Sequence, residues 1–193
     1  MDTSEEARRP LVMVVDDDPS MRYLARVTLE QEGCLVRDAE SGHSALSLLN
    51  DVKPDIILLD VTMPGMDGFA FCEKLRAMPE MQRVPVLMMT GFEDTDAIRR
   101  AYRVGATDFI TKPINWLVLG YRIHYMLRAS RTLEELIRSE SRNTALINAM
   151  PDSMLRVARD GTILALRGSG DSIFAVSPNS GKGQRVCEVL PSP

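Results

Sequence analysis

Residues 11–18 have the sequence LVMVVDDD, an unbroken apolar run that ends in three aspartates. A short apolar run without polar alternation is typical of a strand that is buried on both faces of a parallel sheet. A second run, at residues 55–60, ends in Asp60, and another, at residues 84–90, ends in Thr90. The sequence therefore predicts several buried strands, each with a polar residue at its carboxyl end.

Helical patterns alternate with these strands along the first part of the chain. Asp18 has the position of a helix N-cap, and Pro19 has that of the first helical residue. Such alternation indicates a parallel sheet with helices on both faces, joined by right-handed crossovers. We predict strands at residues 11–15, 34–38, 55–60, 84–90 and 108–111, and helices at residues 19–33, 41–50, 69–78 and 94–104, with a long fifth helix from residue 114.

Five polar side chains follow these strands: Asp16 and Asp17 after the first, Asp60 and Thr90 at the ends of two others, and Lys112 after the last. The carboxyl ends of parallel strands share one edge of the sheet, which is where ligands bind in open α/β proteins. Carboxylates can hold a divalent cation, and an aspartate can take a phosphoryl group whose oxygens a hydroxyl and an ammonium group bind. The pattern therefore predicts a phosphorylation switch at this edge.

Composition limits the other possibilities. The chain has 193 residues, a net charge of −4 and 45% hydrophobic residues, so it can form a core and shows no basic excess for nucleic acid. The cysteines, Cys34, Cys72 and Cys187, lack the spacing of a disulfide framework, and we expect the first two to be buried thiols. Residues 1–10 are polar, which predicts a flexible tail and no secretory signal. We expect a cytoplasmic location and no contact with a membrane.

The last helix is predicted to run beyond the compact domain, because residues 121–150 contain neither Gly nor Pro. Eight positions follow a seven-residue repeat of the kind that coiled coils use, and five of the eight are apolar. This pattern predicts a coiled-coil-like helix and a homodimer, although an amphipathic helix that packs on its own domain would share it. The positions are Ile123, Met126, Ser130, Leu133, Ile137, Glu140, Thr144 and Ile147.

The remaining residues, from Pro151 on, predict a small α+β segment. Met154 to Val157 and Thr162 to Leu166 suggest a β-hairpin with Asp160-Gly161 in its turn. Roughly forty residues are marginal for an independent core, so we expect only part of a domain. Residues 168–183 are rich in Gly and Ser and are predicted to form a loop, and residues 186–190 form one more short apolar element.

Four sequence blocks resemble the receiver domain of two-component response regulators: VVDDDPSMR at residues 14–22, LLDVTMPGMDG at 58–68, LMMTG at 87–91 and GATDFITKP at 105–113. The blocks occur in the order and spacing of that family, and the resemblance covers about residues 11–125. It implies a doubly wound, flavodoxin-like α/β fold with strand order 2-1-3-4-5. We predict a tail at 1–10, a receiver domain at 11–122, a signalling helix at 123–150 and a further segment at 151–193.

The resemblance implies a role for each site residue. Asp60 is the phosphoacceptor, Thr90 hydrogen-bonds a phosphoryl oxygen, and Lys112 pairs with another. Asp17 and Asp60 bind Mg²⁺ directly, together with the backbone carbonyl of Thr62, while Asp16 acts through a metal-bound water. Such an oxygen-rich site suits Mg²⁺, which keeps several of its waters. The phosphoryl donor is a sensor histidine kinase or a phosphotransfer protein.

The resemblance also implies a conformational switch. Thr90 moves towards the phosphoryl group, and Phe109 turns with it, although the family often has Tyr at this position. The Lys112–Pro113 peptide bond is expected to be cis, as in the family. Asp18 is interpreted as a helix cap, not as a ligand. The chain is not expected to be an enzyme beyond its own phosphorylation and dephosphorylation.

Residues 148–164 resemble the opening of a PAS sensor domain. Receivers with this arrangement often precede diguanylate cyclase or histidine kinase modules, so the output is expected to be binding or a module absent from this chain. Two alternatives remain. A haloacid-dehalogenase-type phosphatase would use Asp16 as its nucleophile, since residues 16–20 are nearly that family's motif. A DNA-binding response regulator would need a helix-turn-helix unit, which the strand-like tail does not suggest.

Overall fold

We describe a computed structural model of the chain, which covers residues 8–91, 95–149, 154–167 and 183–186. Most of the predicted tail, the loop from residue 168 and most of the apolar element at residues 186–190 lie outside the described residues. The chain divides into two compact units, Met1–Glu134 and Glu135–Pro193.

The first unit contains a five-stranded parallel sheet with the order β2-β1-β3-β4-β5. This order and the flanking helices confirm the predicted doubly wound fold. The strands are β1 Leu11–Val15, β2 Leu35–Ala39, β3 Ile56–Asp60, β4 Val86–Thr90 and β5 Asp108–Thr111. The helices are α1 Pro19–Gln31, α2 Gly42–Leu48, α3 Gly68–Ala77, α4 Thr95–Arg103 and α5 Trp116–Ala149, with a short 3₁₀ helix at Pro79–Met81.

The core forms two layers, one on each face of the sheet. Met13 and Val15 of β1 pack in the layer that contains Phe71 of α3. The alternate residues, such as Val14, pack in the layer that contains Leu29 of α1. The side chains of β3 and β4 are buried along their whole length, as expected for central strands with helices on both faces. The core therefore leaves the carboxyl ends of the strands as the edge that carries polar groups.

Side-chain caps set the start of three helices. The Asp18 carboxylate accepts a hydrogen bond from the Ser20 N–H and so caps α1, as predicted. Ser41 forms a capping box with Ser44 at α2. Asp67 accepts a hydrogen bond from the Ala70 N–H at 2.7 Å and caps α3.

Three strands begin later than predicted, and β3 does so by one residue, at Ile56. Strand β2 starts one residue on, because the Cys34 N–H bonds to the carbonyl of Leu29 and belongs to the turn that closes α1. Strand β4 starts at Val86 because the Val84 N–H bonds back to the carbonyl of Met81. Such turn hydrogen bonds compete with the strand ladder, and the apolar pattern alone does not distinguish them.

Helix α5 has 34 residues and continues to Ala149, as the absence of Gly and Pro from residues 121–150 predicted. Ile123 and Met126, the first two positions of the seven-residue repeat, are 0% and 5% exposed in the core layer beside α1. These two side chains are therefore packed within the domain, and the repeat is open to another helix only beyond Leu127. None of the described helices is long and apolar enough to cross a membrane.

In the second unit, β6 Met154–Val157 and β7 Ile163–Arg167 form an antiparallel pair. This pair confirms the predicted hairpin. Gly161 has a φ of 86°, a left-handed conformation that glycine adopts without strain. The Asp160 carboxylate accepts a hydrogen bond from the Thr162 N–H at 3.0 Å, which holds the turn. The sequence Asp-Gly thus forms the tip of the hairpin, for the reason that made it a turn signal.

Candidate functional site

Four neighbouring strands bring the predicted site residues to one edge of the sheet. Asp16 follows β1, Asp60 is the last residue of β3, Thr90 is the last residue of β4, and Lys112 follows β5. The backbone N–H of Lys112 donates a hydrogen bond to the carbonyl of Thr90 at 2.7 Å, which fixes the ends of the adjacent strands β4 and β5. The convergence predicted from the positions of the strands is therefore present in the structure.

The acidic residues form a cluster at this edge. Each of Asp16, Asp17 and Asp60 has a carboxylate oxygen within 4.8 Å of the others. The side chains of Asp16 and Asp60 are 0% and 4% exposed, whereas Asp17 is exposed. The site therefore has two carboxylates in the protein interior and a third on the side that faces solvent.

Lys112 is the cation that contacts this cluster. Its Nζ lies 3.0 Å from Oδ1 of Asp60 and 3.3 Å from Oδ2 of Asp16. Burial raises the pKa of Asp16, and the charge of Asp60 adds to this effect, although hydrogen bonds from Asp18 and Lys112 oppose it. Burial favours a lower pKa for Lys112, but its contacts with Asp60 and then Asp16 outweigh that effect and raise the pKa. Lys112 thus stays charged beside two carboxylates.

The switch residues lie on the adjacent strands β4 and β5. The Thr90 side chain is only 4% exposed, at the carboxyl end of β4. Phe109 on β5 is half-buried, and its ring meets that of Tyr102 on α4 edge to face, with centroids 6.0 Å apart. Arg122 on α5 donates a hydrogen bond to the carbonyl of Phe109 at 2.6 Å and pairs with Asp108 at 3.2 Å. Phe109 therefore contacts α4 through its ring and α5 through its backbone.

The other predicted features are placed as follows. The Lys112–Pro113 peptide bond is cis, as the resemblance implied. Thr62 is exposed, two residues after Asp60, and the role of its carbonyl stays a prediction. Cys34 and Cys72 are buried free thiols, as predicted. Cys187 lies outside the described residues.

Two residues near the site were not singled out from the sequence. Arg22 on α1 donates hydrogen bonds to the carbonyls of Asp16 and Asp17. In the sequence, it is recognisable only as a basic residue in the first turn of the helix that follows the aspartates. Gly68, the residue before the helix predicted at residues 69–78, lies directly against Asp60. A Cβ at Gly68 would stand 2.3 Å from the Asp60 carbonyl oxygen, so only glycine allows α3 to begin there.

The donor set fits a magnesium ion. Among the described residues, Lys112 alone lies within ion-pair distance of this cluster of three carboxylates, so a negative charge remains at a site made of oxygen atoms. Mg²⁺ prefers oxygen ligands and is commonly bound by one or two carboxylates. Crowded carboxylates repel one another, and a cation relieves that repulsion. The residues therefore suit the ion that the resemblance implied.

Two curated relatives match most of this chain. Response regulator PleD of Caulobacter vibrioides is 34% identical over 179 residues, which are 93% of this chain and 37% of that protein. Transcriptional regulatory protein AfsQ1 of Streptomyces coelicolor is 32% identical over 157 residues, which are 81% of this chain and 66% of that protein. The chain thus spans little more than a third of the length of the first relative and about two thirds of the second.

Solved structures show the same likeness. Chemotaxis response regulator CheY4 of Vibrio cholerae superposes with a TM-score of 0.60 at 31% identity, over 62% of this chain and 99% of that one. NtrX of Brucella abortus gives 0.63 at 30% identity, over 68% of this chain and 29% of that one. Residues 12–123 match the family described as the response regulator receiver domain. The sheet order, the acidic edge and these matches together show that the chain belongs to the response regulators of two-component systems, through a receiver domain at its N-terminal part.

Proposed function

We propose that this chain accepts a phosphoryl group on Asp60 from a sensor histidine kinase or a phosphotransfer protein. One observation carries the proposal: Lys112 Nζ lies 3.0 Å from Asp60 Oδ1, within a cluster that includes the carboxylates of Asp16 and Asp17. A nucleophilic carboxylate beside a fixed ammonium group and a cation-binding pair is the arrangement that phosphoryl transfer needs, because catalysis of this step rests on positioning and charge neutralisation.

In the proposed reaction, a carboxylate oxygen of Asp60 attacks the phosphorus of a phosphohistidine. The new P–O bond forms as the P–N bond breaks, and the leaving imidazole keeps the electron pair. Lys112 neutralises charge on the phosphoryl oxygens, and the Thr90 hydroxyl hydrogen-bonds one of them. Mg²⁺, held by Asp17, Asp60 and the Thr62 carbonyl, with Asp16 acting through water, would supply further charge neutralisation. The product is an acyl phosphate, which water later hydrolyses.

The proposed switch runs from Thr90 to Phe109. An added phosphoryl group brings about −1.5 to −2 charge units and draws the Thr90 hydroxyl towards it. The ring of Phe109 then moves into the space that Thr90 leaves, and its contact with Tyr102 is lost. Because Arg122 holds the backbone of Phe109, the change reaches α5 as well as α4. Ligands shift such an equilibrium only by their differential affinity for its two states.

We propose that α5 carries the signal to the output by dimerisation. The helix continues well beyond Met126, the last position of the repeat that is packed in the core. Leu133 is 53% exposed, so the next apolar position of the repeat is open to a second copy. The proposed contact therefore begins near Ser130, after the part of the repeat that the domain itself covers.

The segment after α5 is proposed to be the opening of a PAS-like domain, which is supported by the hairpin of β6 and β7. The output would then be a binding event or a module such as a diguanylate cyclase or a kinase. The chain itself is proposed to have no catalytic activity beyond its own phosphorylation and dephosphorylation, and to act in the cytoplasm.

The test is phosphorylation by a small phosphoryl donor such as acetyl phosphate, with and without Mg²⁺. We expect a phosphorylated protein by intact mass only with Mg²⁺, and none with Asp60→Asn. Asp18→Asn is the matched control, because Asn also caps helices and Asp18 lies beside the site without joining the cluster. A phosphorylated Asp60→Asn variant would overturn the proposal.

Two other functions give different outcomes. A haloacid-dehalogenase-type phosphatase would carry phosphate on Asp16, so the modified peptide separates it from a receiver. Both carboxylates contact Lys112, but the buried Asp16 carboxylate also accepts a hydrogen bond from the Asp18 N–H at 2.8 Å, which favours Asp60 as the acceptor. A DNA-binding regulator would show salt-dependent retention on DNA.

Light scattering with beryllofluoride, an acyl phosphate mimic, tests the proposed dimer. A rise in molar mass with wild type but not with Asp60→Asn supports dimerisation.

A further inference from the structure

The guanidinium group of Arg22 donates hydrogen bonds to the backbone carbonyls of Asp16 and Asp17. We propose that Arg22 is a positioning residue for the cation site, and that it fixes Asp17 so that the carboxylate faces the cation. The inference rests on the proposed function, because it concerns the same magnesium site. Arg22 belongs to α1, and its side chain is only 16% exposed.

The contacts of Arg22 are specific. One nitrogen, Nη1, donates to the Asp16 carbonyl at 2.8 Å and to the Asp17 carbonyl at 3.0 Å. The backbone N–H of Arg22 bonds to the Asp18 carbonyl at 3.1 Å in the first turn of the helix. Three consecutive carbonyls of the acidic loop are thus bound by a single residue, so the path of the loop depends on where that residue lies.

The guanidinium is itself held in place. Its Nε lies 3.3 Å from Oδ2 of Asp38 on β2, and the other oxygen of Asp38 pairs with Arg26 on α1. The Asp16 N–H also donates a hydrogen bond to the carbonyl of Ala39, the residue after Asp38. The acidic loop and Asp38 therefore both lie at the paired ends of β1 and β2. The Nε of Arg22 forms an ion pair with Asp38 but no hydrogen bond, so Asp38 keeps the guanidinium beside the loop by charge, much as outer partners support metal ligands in many proteins.

Asp17 is the ligand that most needs this support. Asp16 is held by the Asp18 N–H at 2.8 Å and by Lys112, and Asp60 is also held by Lys112. Within the part of the chain that the structure describes, no group hydrogen-bonds the Asp17 carboxylate, which is exposed. Its position is set by its own backbone, and the Asp17 carbonyl accepts a hydrogen bond from Arg22.

The positive charge of Arg22 by itself would weaken Mg²⁺ binding, whereas positioning of the loop would strengthen it. The two roles can therefore be distinguished. If the guanidinium acted only through its charge, it would repel a cation, and its removal would tighten Mg²⁺ binding. If it positions the loop, its removal weakens binding. Lys keeps the charge but lacks the planar guanidinium, in which one nitrogen donates to two carbonyls while another faces Asp38. Arg22→Lys therefore separates the two effects.

The experiment measures Mg²⁺ affinity by calorimetry on the full chain, without any phosphoryl donor. We expect Arg22→Met and Arg22→Lys each to weaken binding about 10-fold, the lower end of the range for outer-shell partners of metal ligands. Arg26→Met is the matched control, because it removes an equal charge and a contact with Asp38 but none with the loop. Its affinity should stay within about 2-fold of wild type.

The outcomes are separable. If wild type binds no Mg²⁺, the proposed function fails, whatever the variants do. If wild type binds Mg²⁺ and loses it in Asp17→Asn, but Arg22→Met or Arg22→Lys binds as tightly as wild type or tighter, only the role of Arg22 is overturned. Thermal unfolding without Mg²⁺ checks that each variant is folded. Should Arg22→Met not fold, Arg22→Lys and Asp38→Asn decide, and both are expected to bind more weakly.

Discussion

Two partly buried cations lie at opposite edges of the sheet and have different surroundings. At the carboxyl edge, Lys112 contacts the carboxylates of Asp16 and Asp60. At the amino edge, Arg76 of α3 donates four hydrogen bonds to the carbonyls of Met81, Val84 and Gly105, at 2.8–2.9 Å. Within the described residues, no carboxylate pairs with Arg76.

The pKa values of the two cations respond accordingly. Contacts with carboxylates raise the pKa of Lys112 despite its burial, whereas burial lowers the pKa of Arg76, which has only neutral oxygen partners. Arg76 completes a set of backbone hydrogen bonds and holds the loops that precede β4 and β5. Lys112 neutralises only part of the charge of the carboxylate cluster, so a negative charge remains that a bound cation would neutralise. The first arrangement is structural, and the second is the arrangement of a binding site.

The largest effect is expected from Arg76→Met. It leaves three carbonyls without their donor, and unmade hydrogen bonds of buried groups cost about 1–3 kcal/mol each, so we expect a loss of about 3 kcal/mol in the free energy of unfolding, with some carbonyls turning to water. Denaturant unfolding measures it. Arg83→Met, at an exposed position nearby, is the control and should change little. A loss below about 0.5 kcal/mol, the usual range for surface changes, would contradict the structural role.

Gly68→Ala should have the next largest effect. Its Cβ would meet the Asp60 carbonyl at 2.3 Å, and overpacking typically costs about 1–3 kcal/mol. Because the strain falls on the backbone of Asp60, phosphorylation should slow as well. Gly91→Ala is the matched control beside Thr90, since no atom lies within 4 Å of its added Cβ. Equal stability of the two variants, measured by thermal unfolding, would show that α3 can shift at no cost.

Lys112→Met tests the carboxyl edge directly. The variant leaves Asp16 and Asp60 without their cation. Because the Lys112 side chain is 29% exposed, we expect a loss of about 1 kcal/mol of unfolding free energy without Mg²⁺, closer to the cost for an exposed pair than for a fully buried one. Added Mg²⁺ should restore that loss, because a cation again neutralises the cluster, whereas Mg²⁺ should not rescue Arg76→Met. Unfolding curves with and without Mg²⁺ measure both. If Mg²⁺ does not raise the unfolding free energy of Lys112→Met, the proposed distinction between the two cations is contradicted.

The smallest expected effect is a gain of stability in Asp16→Asn. The pKa of Asp16 is raised above its ordinary value of 3.8 on folding, so the folded state holds the proton more tightly than the unfolded state. Wild type therefore loses stability as pH rises above that value. We expect the variant to be more stable by on the order of 1 kcal/mol near neutral pH without Mg²⁺, with the difference shrinking towards about pH 4. Denaturant unfolding across this range measures it, and a pH-independent difference would contradict it.

The comparison also shows which residues could be found from the sequence. Asp60 and Lys112 each follow an apolar strand, so their convergence could be predicted once the strands were recognised. Arg22 and Arg76 lie on helices and act through the ends of long side chains. Nothing in the spacing of Arg76 indicates that its guanidinium will meet the carbonyl of Gly105, 29 residues further along the chain. Such contacts depend on how two crossover units pack.

The sequence by itself determined the order of strands and helices, the sheet edge that holds the acidic residues, the cap at Asp18 and the turn at Gly161. Each of these follows from local periodicity or from the conformational preference of a single residue. The tertiary structure alone decided that Ile123 and Met126 pack inside the domain and that Gly68 lies against Asp60. It also decided that Arg22 holds the acidic loop. These features depend on distances between segments far apart in the chain, which only the packing of helices against the sheet sets.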